Sequence, residues 1–318
     1  MKRALLTSVQ YLLLAAIAVT TITPFIWMFF TSLHPPNAQI PTMATLFRPA
    51  GWHFENFTYV LTFAELPVWR FAVNSFVVTT GVVLFQLTLC ALAAFAFARL
   101  HFRGRDTLFF VFLLTMVIPA QVLIVPLFTL VQRMGLLDTY AGLIIPYPYL
   151  STAFGTFLLR QYFIGIPRAL DDAARLDGCG DWRILWHVIL PSSKPALATL
   201  AAFAFIWTWC DFYWPLLATS STTMRTLEVG LSVFSDAYGG TRWPLQMAAA
   251  VIVLVPVLAV FLVMQRFFPV YFTLTFSSLY YIIIYVAIML TIAGLYEAIY
   301  NGVLSSLRYR IKRRASPI

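Results

Sequence analysis

Seven long stretches with few or no charged residues dominate the sequence and restrict the folds open to it. They are residues 4–33, 71–98, 107–132, 139–159, 195–224, 243–265 and 267–296. Each is long enough to cross a lipid bilayer as a helix, which takes about 20 residues. Because lipid offers the backbone no hydrogen-bond partners, only helices and closed barrels cross it, and the alternation typical of barrel strands is missing. The sequence therefore predicts an all-α polytopic membrane protein.

The composition agrees with a protein embedded in the lipid bilayer. Of the 318 residues, 61% are hydrophobic and 10% are charged, whereas a soluble domain carries about 25% charged residues. The net charge of +9 is interpreted first as a topology signal, and no nucleic-acid partner is predicted. Cys90, Cys179 and Cys210 lie far apart, so neither a disulfide framework nor a zinc site is predicted.

The distribution of Lys and Arg predicts the orientation in the membrane, since cytoplasmic loops carry an excess of both. With the N-terminus inside, the inner segments of the first six stretches hold Lys2, Arg3, Arg99, Arg103, Arg105, Arg160, Arg168, Arg175, Arg183, Lys194 and Arg266. The outer loops hold Arg48, Arg70, Arg133, Arg225 and Arg242. A cytoplasmic N-terminus is therefore predicted. A cleaved secretory signal is the alternative, but the first apolar run continues to Phe30, which favours a retained span.

The C-terminal stretch, 267–296, leaves the topology open. Five more cations follow it: Arg308, Arg310, Lys312, Arg313 and Arg314. Hydrophobic length favours a crossing, whereas the position of these cations favours a segment that returns or lies in the interface. A fused or altered C-terminus is a third interpretation. We treat residues 1–268 as a six-helix core and 269–318 as a hydrophobic and basic extension.

A polar segment, residues 165–195, interrupts the apolar sequence with charges that nearly cancel. Pro167 and Gly178 are typical of a helix start and of the residue just past a helix end, so a helix from Pro167 to Asp177 is predicted. Surface pairs are expected within this helix, and Asp181 is expected to cap a second one. The pairs are Arg168 with Asp172 and Asp171 with Arg175. In the second helix, Trp182, Leu185, Trp186 and Ile189 are predicted to share one stripe. An ordinary helical hairpin at a membrane surface is the alternative.

Few residues in the sequence have a spacing typical of a catalytic or metal site. None of His34, His53, His101 and His187 has a metal-ligating neighbour at helical spacing, and no G-x-S-x-G occurs. A phosphate-binding P-loop needs Gly followed by Lys, and none of the three lysines follows a glycine. The sequence therefore predicts a chain that is not an enzyme and does not itself hydrolyse ATP.

Asp211 is the one acidic residue deep within a predicted span, and an intramembrane carboxylate is costly unless it faces a cavity or a partner. With Trp209, Tyr213 and Trp214 it forms a candidate substrate pathway. Tryptophans at this depth are also typical of the aromatic belt at the membrane interface. Prolines at 119, 126, 146 and 148 interrupt the third and fourth stretches, which occurs where helices bend around a pathway and also at packing kinks. Two outer loops, 34–70 and 220–242, are long enough to receive an external partner or merely to cover helix ends.

The polar segment resembles the cytoplasmic signature loop of binding-protein-dependent ABC importer permeases, E-A-A, three residues, Gly, nine residues, I-x-L-P. Asp172-Ala173-Ala174, Gly178, Val188 and Leu190-Pro191 fall at those spacings. Other matches resemble the carbohydrate-importer permeases of the MalG type over roughly residues 5–268. They are Phe97-Ala98-Arg99, Phe102-Arg103-Gly104-Arg105, Gly135-Leu136-Leu137-Asp138-Thr139-Tyr140, 209–215 and Gln265-Arg266-Phe267-Phe268.

This resemblance implies an inner-membrane permease that moves a carbohydrate or related polar solute by alternating access. The implied partners are a second permease, two ATPase subunits that bind ATP and Mg, an extracytoplasmic solute-binding protein and the lipid bilayer. Asp171, Asp172 and Arg175 would contact an ATPase, Ala173 and Ala174 would permit close approach, and Gly178 would form the turn. The resemblance also implies contacts to the binding protein from the loop at Asp236, Tyr238, Gly239 and Gly240.

Three features depart from the family pattern. The motif's glutamate is Asp172, a frequent Trp-Asn dipeptide is Trp209-Cys210, and the chain continues for 50 residues beyond Phe268. Two other functional classes compete with an ATP-driven importer permease. A secondary transporter or channel would need no ATPase, and a purely structural membrane subunit would line no path.

Overall fold

The computed structural model describes residues 2–42, 45–48, 51–63, 66–236 and 242–264. Every regular element in these ranges is helical, and the predicted all-α class is confirmed. The chain divides into two units, 1–267 and 268–318, and the second lies outside the described residues. The stretch 267–296, whose crossing the sequence left open, and the residues Tyr238, Gly239 and Gly240 also lie outside them. The count of six core helices stays a prediction.

The described residues up to Gly165 form seven α-helices. They are α1 (Lys2–Ser32), α2 (Glu55–Thr62), α3 (Val68–Arg99), α4 (Arg105–Leu114), α5 (Ala120–Arg133), α6 (Tyr140–Ile144) and α7 (Pro148–Gly165). A 3-10 turn, Thr115–Val117, follows α4. Two of the four prolines noted above act as breaks, since Pro119 precedes α5 and Pro146 lies between α6 and α7, while Pro126 stays inside α5.

The second half contains the polar segment and the remaining spans. Its helices are α8 (Arg168–Leu176), α9 (Asp181–Ile184), α10 (Leu190–Ser192), α11 (Lys194–Trp209), α12 (Tyr213–Ala218), α13 (Leu227–Asp236) and α14 (Trp243–Met264). A π-helical turn, Leu185–Ile189, joins α9 to α10, and a 3-10 turn, Thr222–Met224, precedes α13.

Two helices among the described residues, α3 and α14, are long and apolar enough to cross a membrane unbroken. Two bent pairs also qualify if each counts as one span: α4 with α5, bent by 95°, and the helical run Asp181–Ser192 with α11, bent by 80°. The fifth stretch, 195–224, was predicted as a single helix, but α11 ends at Trp209 and α12 begins at Tyr213. This break places Asp211 on non-helical backbone.

Helix α3 is the centre of the packing and contacts α7, α11, α13 and α6. Gly155 of α7 allows α3 and α11 to approach closely. A Cβ built at Gly155 would lie 2.6 Å from Cys90 Sγ on α3 and 2.9 Å from Leu200 Cδ1 on α11. A larger residue would push these three helices apart, so Gly155 sets their spacing.

Candidate functional site

The polar segment folds as a helix, a turn at Gly178 and a second helical arm, and is called the polar hairpin below. Its first arm, α8, is followed by Gly178 in the left-handed conformation with φ +82°. The amides of Asp177, Gly178 and Cys179 donate to carbonyl groups in the last turn of α8 at 2.9 to 3.1 Å. These bonds satisfy carbonyls that a helix end otherwise leaves without partners.

Asp171 anchors the polar hairpin to the rest of the chain. Its Oδ2 atom lies 3.2 Å from Nε of Arg99, the last residue of α3, and the two side chains are only 12% and 4% exposed. An Nη of Arg99 also donates to the Ile166 carbonyl at 2.8 Å. The predicted pairing of Asp171 with Arg175 is wrong, because Asp171 is turned toward α3 and Arg175 pairs with Asp181 of the second arm.

The opposite side of α8 is uncovered. Asp172, Ala173, Arg175 and Gly178 are exposed, and all four belong to the predicted contact set. Ala174 is half-buried and packs against the core instead. Leu176 is 91% exposed and was not predicted as a contact residue. Its position as an isolated leucine at the end of a polar helix was the feature of the sequence that could have indicated it.

The second arm departs from the predicted stripe. Leu185 and Ile189 are buried, as expected, but Trp182 and Trp186 are 62% and 51% exposed and Ile184 is buried in their place. Trp186 lies in the π-helical turn, whose i→i+5 bonding rotates its residues around the axis, whereas Trp182 lies before that turn, in α9. Asp181 is also not the predicted cap: Gly180 holds the N-cap position, and Asp181 accepts a bond from Arg175.

One apolar cluster joins the polar hairpin to three membrane helices. Ile184, Leu185 and Ile189 pack with residues of α3, α7 and α11 that are also buried. These include Phe95, Ala98, Leu159, Phe163 and Leu200. The polar hairpin is therefore in direct packing contact with α3, α7 and α11.

A cavity of about 440 Å³ lies beside the break between α11 and α12. We call it the Asp211 cavity. Its polar and aromatic lining consists of Gln121, Tyr147, Asp211, Tyr213 and Trp214, and its remaining lining of Ala120, Ile124, Leu127 and Pro146. Non-helical backbone at membrane depth is tolerated where it lines a cavity or is buried in protein, which fits the position of Asp211.

The Asp211 carboxylate accepts two hydrogen bonds. The Tyr147 hydroxyl donates to Oδ2 at 2.7 Å, and the Tyr213 amide donates to Oδ1 at 3.0 Å. None of the ion pairs formed by the described residues includes Asp211. Tyr147 was missed at the sequence level, although a tyrosine between Pro146 and Pro148 in a predicted span was a usable signal.

Three of the four predicted pathway residues meet at the Asp211 cavity, and Trp209 does not. Trp209 is 5% exposed, stacks on Phe205 and donates from Nε1 to the Val253 carbonyl at 3.1 Å. It belongs to the packing between α11 and α14. Trp214 is also buried and donates to the Gly142 carbonyl, but it lines the cavity, and Tyr213 is 72% exposed.

Asp138 joins the loop before α6 to the end of α12, the helix whose first residues, Tyr213 and Trp214, line the Asp211 cavity. Its own backbone has φ +60°, its amide donates to the Ala218 carbonyl at 2.8 Å, and Oδ1 accepts from the amides of Ser220 and Ser221. Partial burial raises the pKa of the Asp138 carboxyl, but the bonds from Ser221 and Ser220 lower it by more, so the net pKa lies below 3.8.

We expect the loop contact at Asp138 to weaken in acid. Because its folded pKa is depressed, the stabilisation is present above the unfolded pKa and is lost as the pH falls through the folded pKa. The protection of the Ser220 and Ser221 amides against hydrogen exchange, measured relative to the intrinsic exchange rate at each pH, should therefore fall below about pH 4. Asp138→Asn, which cannot titrate, should show no such step; a step of equal size in that variant would contradict the assignment.

Of the residues predicted to contact a binding protein, one lies in a described element. Asp236 is the last residue of α13. Within the described ranges, no group of three or more His, Cys, Asp or Glu side chains lies together as metal ligands.

The family described as "Binding-protein-dependent transport system inner membrane component" matches residues 86–305. The chain belongs to this family. It is an inner-membrane permease component of an ABC importer, and the prediction of a permease subunit rather than an ATPase is confirmed.

Individual relatives agree with the family. The arabinooligosaccharides transport system permease protein AraQ of Halalkalibacterium halodurans is 32% identical over 255 residues, which cover 80% of this chain and 90% of that protein. The sn-glycerol-3-phosphate transport system permease protein UgpE of Yersinia enterocolitica is 38% identical over 196 residues, covering 61% and 69%. A crystal structure of a bacterial ABC transporter involved in the import of the acidic polysaccharide alginate matches with a TM-score of 0.72 and 26% identity. That match covers 84% of this chain and 98% of the other.

Proposed function

We propose that this permease is driven by ATPase subunits that seat against the exposed side of α8. The observation that carries the proposal is the two-sided character of this helix. One side is fixed inside the chain by Asp171 and Arg99, while the other presents Asp172, Ala173 and Leu176 to solvent. A charge, a low point in the surface and an exposed leucine together form a surface that a protein partner can cover. ATP and Mg would be bound by the two ATPase subunits.

The proposed mechanism is a lever. Closure of the ATPases displaces the polar hairpin, and the apolar cluster around Ile184 and Leu185 passes the displacement to α3, α7 and α11. Helix α11 leads directly to Asp211 at its far end. Movement of packed helices between two arrangements opens the pathway to alternate sides of the membrane. A gradient-driven transporter or a purely structural subunit gives the polar hairpin no such role.

The proposed cargo is a carbohydrate or a related polar solute. Support comes from relatives named for arabinooligosaccharides and sn-glycerol-3-phosphate and from the alginate transporter. The further partners proposed are a second permease subunit and an extracytoplasmic solute-binding protein, contacted around Asp236 and the loop after it. The excess of cations on one side supports a cytoplasmic N-terminus, which puts the polar hairpin on the same side as the ATPases.

Charge reversal at Asp172 tests the ATPase contact. With Asp172→Lys we expect the cognate ATPase to co-purify at less than about a tenth of the native amount, with uptake reduced in proportion, because like charges across an interface cost several kcal/mol. Asp172→Glu restores the glutamate of the motif and should retain both. The amount of each variant in the membrane is measured as a folding control. Native recruitment and uptake by Asp172→Lys would refute the proposal.

A further inference from the structure

The Asp211 cavity has an electrostatic character that bears on which solutes it accepts. Among the described residues that line it, Asp211 alone carries a charge. We infer that the cavity is a solute site for neutral polyhydroxylated molecules and that it rejects anions of the same size. This inference rests on the proposed import function and narrows it from polar solutes in general to uncharged ones.

The hydrogen-bonding groups of the cavity suit hydroxyl donors. A carboxylate has about four acceptor positions, and Asp211 uses two of them for Tyr147 and Tyr213. The free positions accept from hydroxyl groups, and such charge-assisted bonds are stronger than neutral ones. The Gln121 amide, which is exposed at the same cavity, both donates and accepts. A sugar or polyol satisfies all of these groups.

The rest of the lining suits the apolar faces of a sugar ring. Tyr213 and Trp214 contribute aromatic surface, and Ile124, Leu127 and Pro146 contribute aliphatic surface. The Trp214 N–H already bonds to the Gly142 carbonyl, so only its ring is available. Small-molecule sites commonly combine a mostly apolar wall with a few placed polar groups in about 300–1,000 Å³, and this cavity of about 440 Å³ lies within that range.

Two electrostatic effects compete over an anion in this cavity. The first turn of α5, at Ala120 and Gln121, lines one side and attracts anions with about half a positive charge. Asp211 opposes it with a full negative charge that no cation among the described residues pairs. The carboxylate is therefore the larger effect, and a phosphate or uronate group placed beside it is repelled.

Protection of a cysteine in the cavity tests this inference. Gln121→Cys is introduced into a Cys179→Ser, Cys210→Ser background, and the assembled importer is reconstituted in nanodiscs. Alkylation of Cys at 121 is timed with maltose, cellobiose and arabinobiose and with the aldonic acid of each. At least one neutral sugar should protect at a concentration about tenfold lower than its aldonate, since repulsion by one nearby charge is of this order or larger.

Asp211 and Glu228 are both half-buried acids. Substitutions at each of them decide whether the Asp211 charge causes the preference for neutral sugars. Asp211→Asn keeps an acceptor for the Tyr213 amide and should remove the preference for neutral sugars. Glu228→Gln, which removes one negative charge outside the cavity lining, should keep it. Equal protection by the aldonates, an unchanged preference in Asp211→Asn, or no protection by any probe would overturn the inference. Uptake that persists without protection would leave the proposed import function standing and refute only the site.

Discussion

Replacing Arg99 by methionine is expected to destabilise the chain by about 3 kcal/mol and to reduce uptake at least tenfold. Removal of one partner from a buried ion pair leaves an uncompensated charge, which costs about 3–5 kcal/mol. The lower figure applies because Asp171 remains 12% exposed. Methionine retains most of the length of the arginine stem, so the effect reports on charge rather than on a cavity. Thermal unfolding in detergent, followed by tryptophan fluorescence, measures the stability.

A second substitution separates the unpaired charge from other effects of changing Arg99. In the double variant Arg99→Met, Asp171→Leu, both charges are replaced by apolar groups, which is often close to neutral for stability. We expect most of the lost stability to return. A single variant that unfolds like the native chain, or a double variant no more stable than the single one, would show that the pair does not anchor the polar hairpin.

Replacing Gly178 by proline is expected to abolish ATPase recruitment while leaving the membrane helices folded. Proline is fixed near φ −65°, whereas Gly178 has φ +82°. The substitution also removes the amide that donates to the Arg175 carbonyl at 3.0 Å. The turn must therefore rearrange, at a cost of about 3 kcal/mol or more if the backbone cannot adapt, and the end of α8 changes direction. Recruitment and uptake are measured on membranes containing equal amounts of chain.

Gly180→Pro, which places proline two residues after Gly178, is the matched control. Gly180 has φ −77° and ψ 168°, within the range that proline adopts, and a Cβ there meets no atom within 4 Å. Gly180→Pro should therefore recruit the ATPase at close to the native level. Equal losses in both variants would mean that any proline in the turn is disruptive, and equal retention would mean that the conformation of Gly178 is unimportant for the contact.

The sequence predicted the parts of the site that depend on local signals. The helix before Gly178 follows from proline and glycine preferences, which act within a few residues, and the cost of an acid in a predicted span drew attention to Asp211. The role of Trp209 was not predictable in this way. Trp209 and Trp214 lie five residues apart in one aromatic run, and only the packing of α14 against α11 makes the first a core residue.

Local signals also failed where the chain changes its helical geometry. Trp182 and Trp186 are exposed where the chain passes from α9 into the π-helical turn at Leu185–Ile189, although regular helical spacing places them with Leu185. The break after Trp209 occurs in a sequence apolar enough to continue as a helix. In both places, contacts with neighbouring helices override the preference of the segment itself.

The sequence by itself determined that the chain is a helical membrane protein, where its polar hairpin lies and which family it belongs to. These follow from hydrophobic length, from turn residues and from a motif read along the chain. Only the tertiary structure decided which of two adjacent acids faces inward. The sequence assigned both Asp171 and Asp172 to the ATPase contact, but the end of α3 brings Arg99 to Asp171 and leaves Asp172 exposed. The partner that distinguishes them lies on a distant segment, and only folding brings it into contact.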